Sequence, residues 1–160
     1  MLSIEANSIA RSLVIKMTRA PKVRAWGVYA SEAGMATSAP KPQRIVAIVD
    51  DDPGMQISLS NLLVALGFRT SVFSSAEDWL DRGAAARADC LLLDVHLGGI
   101  SGIELQRRLR ASGSTLPVIF ITARDDAATR SQALEAGGVS YLCKPFVAAQ
   151  LIGAIERATA

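Results

Sequence analysis

From Arg44 onward, short apolar runs alternate with stretches in which apolar residues recur every three or four positions. Ile45 to Val49 is the first run and ends in Asp50-Asp51-Asp52-Pro53-Gly54. It reads as a buried strand, and Asp52 before Pro53 is a good helix cap with proline at the first helical position. Ile57, Leu59, Leu62, Leu63 and Leu66 then form a helical stripe, with Gly67 as its stop. Phe68 to Phe73 is a second strand, of mixed polarity and hence an edge. Ser75 caps a short helix through Trp79 and Leu80 that closes near Gly83. Cys90-Leu91-Leu92-Leu93-Asp94 is the most apolar run, and a run of this kind is buried on both faces. The loop Gly98 to Gly102 leads into a helix marked by Ile103, Leu105 and Leu109 and ended by Gly113. Leu116 to Ile121 is a fourth strand, ending at Thr122. Asp125 or Asp126 caps a helix over Ala127 to Ala136. Val139 to Cys143 is a fifth strand, ending at Lys144-Pro145. Phe146 to Ala158 is the last helix, with Val147, Leu151, Ile152 and Ile155 as its stripe.

Five strands alternating with five helices predict an α/β fold with a parallel sheet and helices on both faces. All strands then point the same way, and their polar ends share one edge. Asp50, Asp51 and Asp52 end the first strand, Asp94 the third, Thr122 the fourth and Lys144 the fifth. Neighbouring strands lie about 5 Å apart, and ligands of open α/β sheets bind at the carboxyl ends of strands. Periodicity does not give the strand order.

Carboxylates held this close repel one another, and a charge at the end of a buried strand is costly without compensation. A hard divalent cation with oxygen ligands relieves both costs. Mg²⁺ fits, because it takes one or two carboxylates and keeps several waters. Lys144 adds a point charge suited to phosphate, and Thr122 adds a neutral donor. The set suits phosphoryl transfer to an aspartate.

Composition narrows the classes. The 160 residues carry seventeen basic and fifteen acidic side chains. Residues 1–43 hold six basic against two acidic, so the remainder is mildly acidic and gives no reason to expect direct nucleic-acid binding. No apolar run approaches the ~18 residues of a membrane span, and a cytoplasmic location is expected. Cys90 and Cys143 lie in apolar strand-like runs and read as buried thiols. One histidine and two cysteines make no usual zinc site. No GxGxxG follows the first strand, which removes a dinucleotide-binding reading. Residues 1–43 are rich in Ala, Ser, Pro and basic residues, with Ala39-Pro40-Lys41-Pro42 as a linker signal. A disordered leader or a misassigned N-terminus is expected there, Met35 being a suitable start; a transit peptide and a contact arm are the alternatives.

Four motifs stand in order at the ends of strands one, three, four and five: VDDDPG (49–54), LLLDVHLGGISG (91–102), FITA (120–123) and YLCKPF (141–146). On these the chain resembles the receiver domain of two-component response regulators, over residues 44–160. The resemblance implies a flavodoxin-like doubly wound sheet of order 2-1-3-4-5. It implies Asp94 as phosphoacceptor, Asp51 as a direct Mg²⁺ ligand, Asp50 as one acting through water, and the backbone carbonyl of His96 as a further ligand. Thr122 matches the hydroxyl that binds the phosphoryl group, Lys144 the lysine that pairs with it, and Tyr141 the aromatic that swings inward. Lys144–Pro145 is expected to be cis. His96 and Arg124 occupy two variable rim positions. Gly98 stands where family members often carry proline, and Gly138 where alanine is common.

The expected function is that of a stand-alone receiver, phosphorylated on Asp94 by a sensor histidine kinase and signalling through a protein-binding face. Its downstream partner is an unidentified protein or a phosphotransfer protein. It is a switch rather than an enzyme with an external substrate. The alternatives are an unphosphorylated binding module and a phosphatase of the haloacid-dehalogenase kind, for which Asp50-Asp51-Asp52 offers a superficial DxD.

Overall fold

The computed structural model describes residues 43–160. The expected leader, residues 1–43, lies but for Gln43 outside the described residues. Five strands alternate with five helices: β1 (Ile45–Val49), α1 (Pro53–Ala65), β2 (Arg69–Phe73), α2 (Ala76–Arg82), β3 (Cys90–Asp94), α3 (Gly102–Ala111), β4 (Val118–Thr122), α4 (Ala127–Glu135), β5 (Ser140–Cys143) and α5 (Ala148–Ala158). They form one sheet of order β2-β1-β3-β4-β5. Every neighbouring pair is parallel, so the flavodoxin-like expectation holds.

The strand period of two divides the core into two layers. Val46, Ile48, Leu92, Ile119 and Ile121 face one side, where Leu59 and Leu63 of α1 and Leu151, Ala154 and Ile155 of α5 cover them. Ala47, Val49, Leu91, Leu93 and Phe120 face the other, against Trp79 of α2, Ile103 and Leu105 of α3, and Ala133 of α4. β1, β3 and β4 are therefore apolar on both faces. β2 and β5 are the edges and are only partly buried.

Local signals place the helices. Asp52 Oδ1 accepts the Gly54 N–H at 2.8 Å, Ser75 caps α2 and Ser101 caps α3. Asp126, rather than Asp125, caps α4, accepting the Thr129 N–H at 2.8 Å. Gly102 opens α3 directly over the end of β3, where a Cβ would lie 2.1 Å from the Asp94 carbonyl oxygen. Only glycine allows this approach.

Four details differ from the periodicity. Ile57 is 63% exposed, and Leu66 is also exposed. α1 is apolar around most of its circumference, so its buried face could not be singled out. Val147 is also 63% exposed: it is the N-cap of α5, and that helix starts two residues later than expected. A short 3-10 turn over Gly83–Ala86 follows α2. Cys90 is buried, and burial pushes its thiol up to about 12, whereas Cys143 is only half-buried.

Candidate functional site

The register brings the polar strand ends together. Val49, the last residue of β1, pairs with Leu93, one residue before Asp94. Asp94 pairs with Ile121, and Thr122 with Cys143. Asp50, Asp94, Thr122 and Lys144 thus stand along the carboxyl edge of the three central strands and β5. Asp50 and Thr122 are fully buried, and Asp94 is 8% exposed.

Asp50 is held at every polar atom. Its Oδ1 accepts the Asp52 N–H at 2.9 Å and its Oδ2 accepts from Lys144 Nζ at 2.9 Å. Its carbonyl takes the Gln56 amide. Lys144 also donates to Asp94 Oδ2 at 3.3 Å, so one ammonium bridges two carboxylates. The Lys144–Pro145 peptide is cis, as expected. Asp94 Oδ1 accepts the His96 N–H at 3.1 Å. Asp51 points outward, and its Oδ2 accepts the Gly98 N–H at 3.1 Å.

Burial pushes the Asp94 carboxyl above its ordinary range, assisted by Asp50, against the opposing pull of the His96 N–H and Lys144. Burial works to depress the Lys144 ammonium, but its bonds and charge attraction to Asp50 and Asp94 outweigh this and its pKa is raised. A carboxylate kept basic and partly desolvated is a better nucleophile than one in water.

Asp50, Asp51 and Asp94 each offer an oxygen, and the three oxygens lie within 4.8 Å of one another. This is a cluster positioned to hold a divalent cation. The donor set is all oxygen, and Asp51 is exposed to solvent, which fits a hard ion that retains waters. Asp52, the remaining acid of the run, is committed to capping α1. A DxD pair built on Asp50 and Asp52 is therefore not assembled.

The rim carries contacts that the sequence did not disclose. His96 was expected to contribute a backbone carbonyl, yet its imidazole Nδ1 also lies 3.2 Å from Thr122 Oγ1. The same hydroxyl accepts the Arg124 N–H at 3.2 Å. Tyr141 is half-buried. Its hydroxyl donates to the Arg124 carbonyl at 3.2 Å, and the Arg130 guanidinium lies 5.2 Å from its ring centre. Burial raises its phenol, with Asp125 and Asp126 adding to the effect. Glu77 of α2 reaches across to accept the Ile100 N–H at 3.0 Å. The signal available for His96 was its position two residues after Asp94. Glu77 carried none.

Among the described residues no helix is long and apolar enough to cross a membrane.

Comparison with known proteins agrees with this geometry. Residues 46–156 match the family described as the response regulator receiver domain. The response regulator protein TmoT of Ectopseudomonas mendocina is 36% identical over 116 residues, covering 72% of this chain and 53% of that protein. The transcriptional regulatory protein FixJ of Bradyrhizobium diazoefficiens is 34% identical over 113 residues, covering 71% and 55%. The chain spans about half the length of the curated relatives it matches. Among solved structures, FixJ-N superimposes with a TM-score of 0.70 at 34% identity, covering 74% of this chain and 95% of that one. Full-length FixJ from B. japonicum gives 0.69 at 33% identity, covering 74% and 58%. With its sheet order, its acidic cluster and these likenesses in agreement, the chain belongs to the response regulator receiver domains, a family of regulatory switches in phosphorelay signalling.

Proposed function

We propose that Asp94 is the phosphoacceptor of this receiver and that a sensor histidine kinase is its donor. An Asp94 carboxylate oxygen forms a bond to phosphorus as the phosphorus–nitrogen bond of the donor's phosphohistidine breaks. The imidazole leaves with the bonding pair, and Asp94 becomes an acyl phosphate. Asp50, Asp51, Asp94 and the His96 carbonyl would hold the cation, Mg²⁺ on this reading, which supplies positive charge opposite the phosphoryl oxygens. Lys144 already bridges Asp50 and Asp94 and needs only a small movement to meet a phosphoryl oxygen. Its charge there stabilises the transferred group.

Thr122 reports the event. Its oxygen accepts the Arg124 N–H, so its own proton is free to be donated. With Nδ1 as acceptor, the His96 imidazole takes a hydrogen bond from that hydroxyl before phosphorylation, and the hydroxyl donates to the phosphoryl oxygen instead afterwards. Thr122 then shifts, and Tyr141 leaves the Arg124 carbonyl for the space behind it. The surface formed by α4, β5 and α5 changes shape for a downstream protein or phosphotransfer protein, as a local charge event biases a two-state element. Residues 44–160 act as the receiver in this scheme.

The observation that carries the reading is the single lysine bridging Asp50 and the buried Asp94 at the carboxyl edge of the sheet. Its test is the intact mass of the protein after incubation with Mg²⁺ and acetyl phosphate, or with a phosphorylated histidine kinase. One added phosphoryl group is expected, absent in Asp94→Asn and absent without Mg²⁺. No adduct from either donor, or an adduct retained in Asp94→Asn, would overturn it.

A further inference from the structure

We infer that the backbone N–H of Gly98 is a positioning group for the cation site, acting through Asp51. This rests on the proposed cation-binding role of the acidic cluster and adds a determinant of its affinity. Asp50 and Asp94 are fixed by burial and by Lys144, but Asp51 is exposed and lies on a loop. A free aspartate there samples several rotamers, and ordering it costs free energy each time an ion binds. The Gly98 N–H, 3.1 Å from Asp51 Oδ2, fixes the carboxylate in advance. Among the described residues it is the only hydrogen-bond partner of that side chain.

The donor is itself braced. Two residues on, the Ile100 N–H is held at 3.0 Å by Glu77. Between them Gly99 has φ +96, and a Cβ there would come 2.8 Å from Glu77 Oε1. Ser101 then caps α3. The loop after the acceptor is thus tied to the loop that follows β1 through Asp51, to α2 through Glu77 and to α3 through its cap. Its first tie ends on a member of the cation cluster.

Two effects of the Gly98 N–H oppose each other. It draws electron density from one oxygen, which weakens that oxygen as a ligand. It also removes rotational freedom from the whole carboxylate. A carboxylate has about four acceptor sites on its two oxygens, so one shared site leaves ample capacity, and preorganisation outweighs the loss. Outer hydrogen-bond partners of metal ligands typically matter by about 10- to 100-fold in affinity. Asp51 is solvent-exposed, which places the effect here at the bottom of that range or somewhat below it.

The test is Mg²⁺ titration of the full chain by isothermal calorimetry, for the parent, Gly98→Ala, Gly98→Pro and Asp51→Asn. Alanine keeps the N–H, and its Cβ would lie 3.7 Å from Asp51 Oδ2, an ordinary contact. Proline removes the donor. Affinity in Gly98→Ala should stay within about twofold of the parent, while Gly98→Pro weakens it by about 3- to 10-fold. Asp51→Asn should weaken it further. Equal affinity in parent and Gly98→Pro, or equal losses in the alanine and proline variants, would overturn the inference. A parent that takes up no Mg²⁺ would sink the cation reading itself, and this inference with it. A second measurement stands apart from the folding of the proline variant. In the metal-free ¹H–¹⁵N spectrum, the Gly98 amide resonance should move upfield in Asp51→Ala, which removes the acceptor. If it stays in place there is no hydrogen bond to lose, and the inference falls.

Discussion

The bodies of the central strands and their carboxyl ends obey different rules. From Val46 to Val49, Leu91 to Leu93 and Val118 to Ile121 every residue is fully buried and apolar. One residue further along, the same strands carry Asp50, Asp94 and Thr122, which are also buried. The interior has removed apolar surface from water at no electrostatic cost. The carboxyl edge holds two desolvated carboxylates, compensated in the protein alone by one ammonium. Such an edge is poor design for stability, since apolar residues of similar size are often neutral or better in place of buried ions. It suits a site whose charges are completed by a cation and a phosphoryl group. The only other buried polar residue among those described is Gln106 of α3, whose amide donates to the Gly137 carbonyl.

The largest contrast should come from cutting into the interior. Leu92→Ala leaves a cavity between β3 and the α1 and α5 helices and should cost about 2–5 kcal/mol in urea unfolding. Cation concentration should not change that cost. Lys144→Met tests the edge. It leaves fully buried Asp50 without its counter-charge and should cost about 2–4 kcal/mol, the pattern of a broken buried ion pair. Here Mg²⁺ should restore part of the loss. If Mg²⁺ rescued Leu92→Ala equally, the strand bodies and the carboxyl edge would not be distinct in the way described.

Next in size is His96→Ala. It frees the Thr122 hydroxyl from the imidazole and should strengthen beryllofluoride binding in the presence of Mg²⁺ by about 2- to 5-fold, the worth of one neutral hydrogen bond or less. Unchanged or weaker binding would remove the competition between His96 and the phosphoryl group. The smallest effect belongs to the exposed pair Arg108–Glu104, at 3.0 Å on α3. Its loss in Arg108→Ala should stay below about 0.5 kcal/mol, because water and salt screen it.

Much of this was legible in the residues. Three consecutive leucines running into Asp94, and Ile45 to Val49 running into the acids, specify strands buried on both faces and ending in charge. That pattern located Asp50, Asp94, Thr122 and Lys144 along one edge. The strand order was not legible from periodicity, which says which faces are covered and not which strands are neighbours; the motifs supplied it through their likeness to a family. The outward face of α1 was not legible either, because Ile57 and Val64 are as apolar as the buried Leu59 and Leu63. The loop contacts were hidden for a different reason. A backbone N–H such as that of Gly98 or Ile100 has no residue-type signature, and its aim depends on local dihedral angles. His96 was noticed by position, but only the folded rim shows that its ring reaches Thr122.

The most direct test of the claim that the carboxyl edge is built for ligands rather than for stability is urea unfolding of the parent and Asp94→Asn, with and without Mg²⁺. Asp94 has its folded pKa raised by burial, so the folded protein holds that proton more tightly than the unfolded chain does. Its contribution is present below the unfolded pKa of about 4 and is lost as pH rises through the raised folded value. Without metal near neutral pH, Asp94→Asn should therefore be more stable than the parent, and the two should converge in acid. Mg²⁺ should stabilise the parent by mass action and the variant far less, closing or reversing the gap. A metal-free variant less stable than the parent, or equal gains from Mg²⁺ in both proteins, would contradict the account.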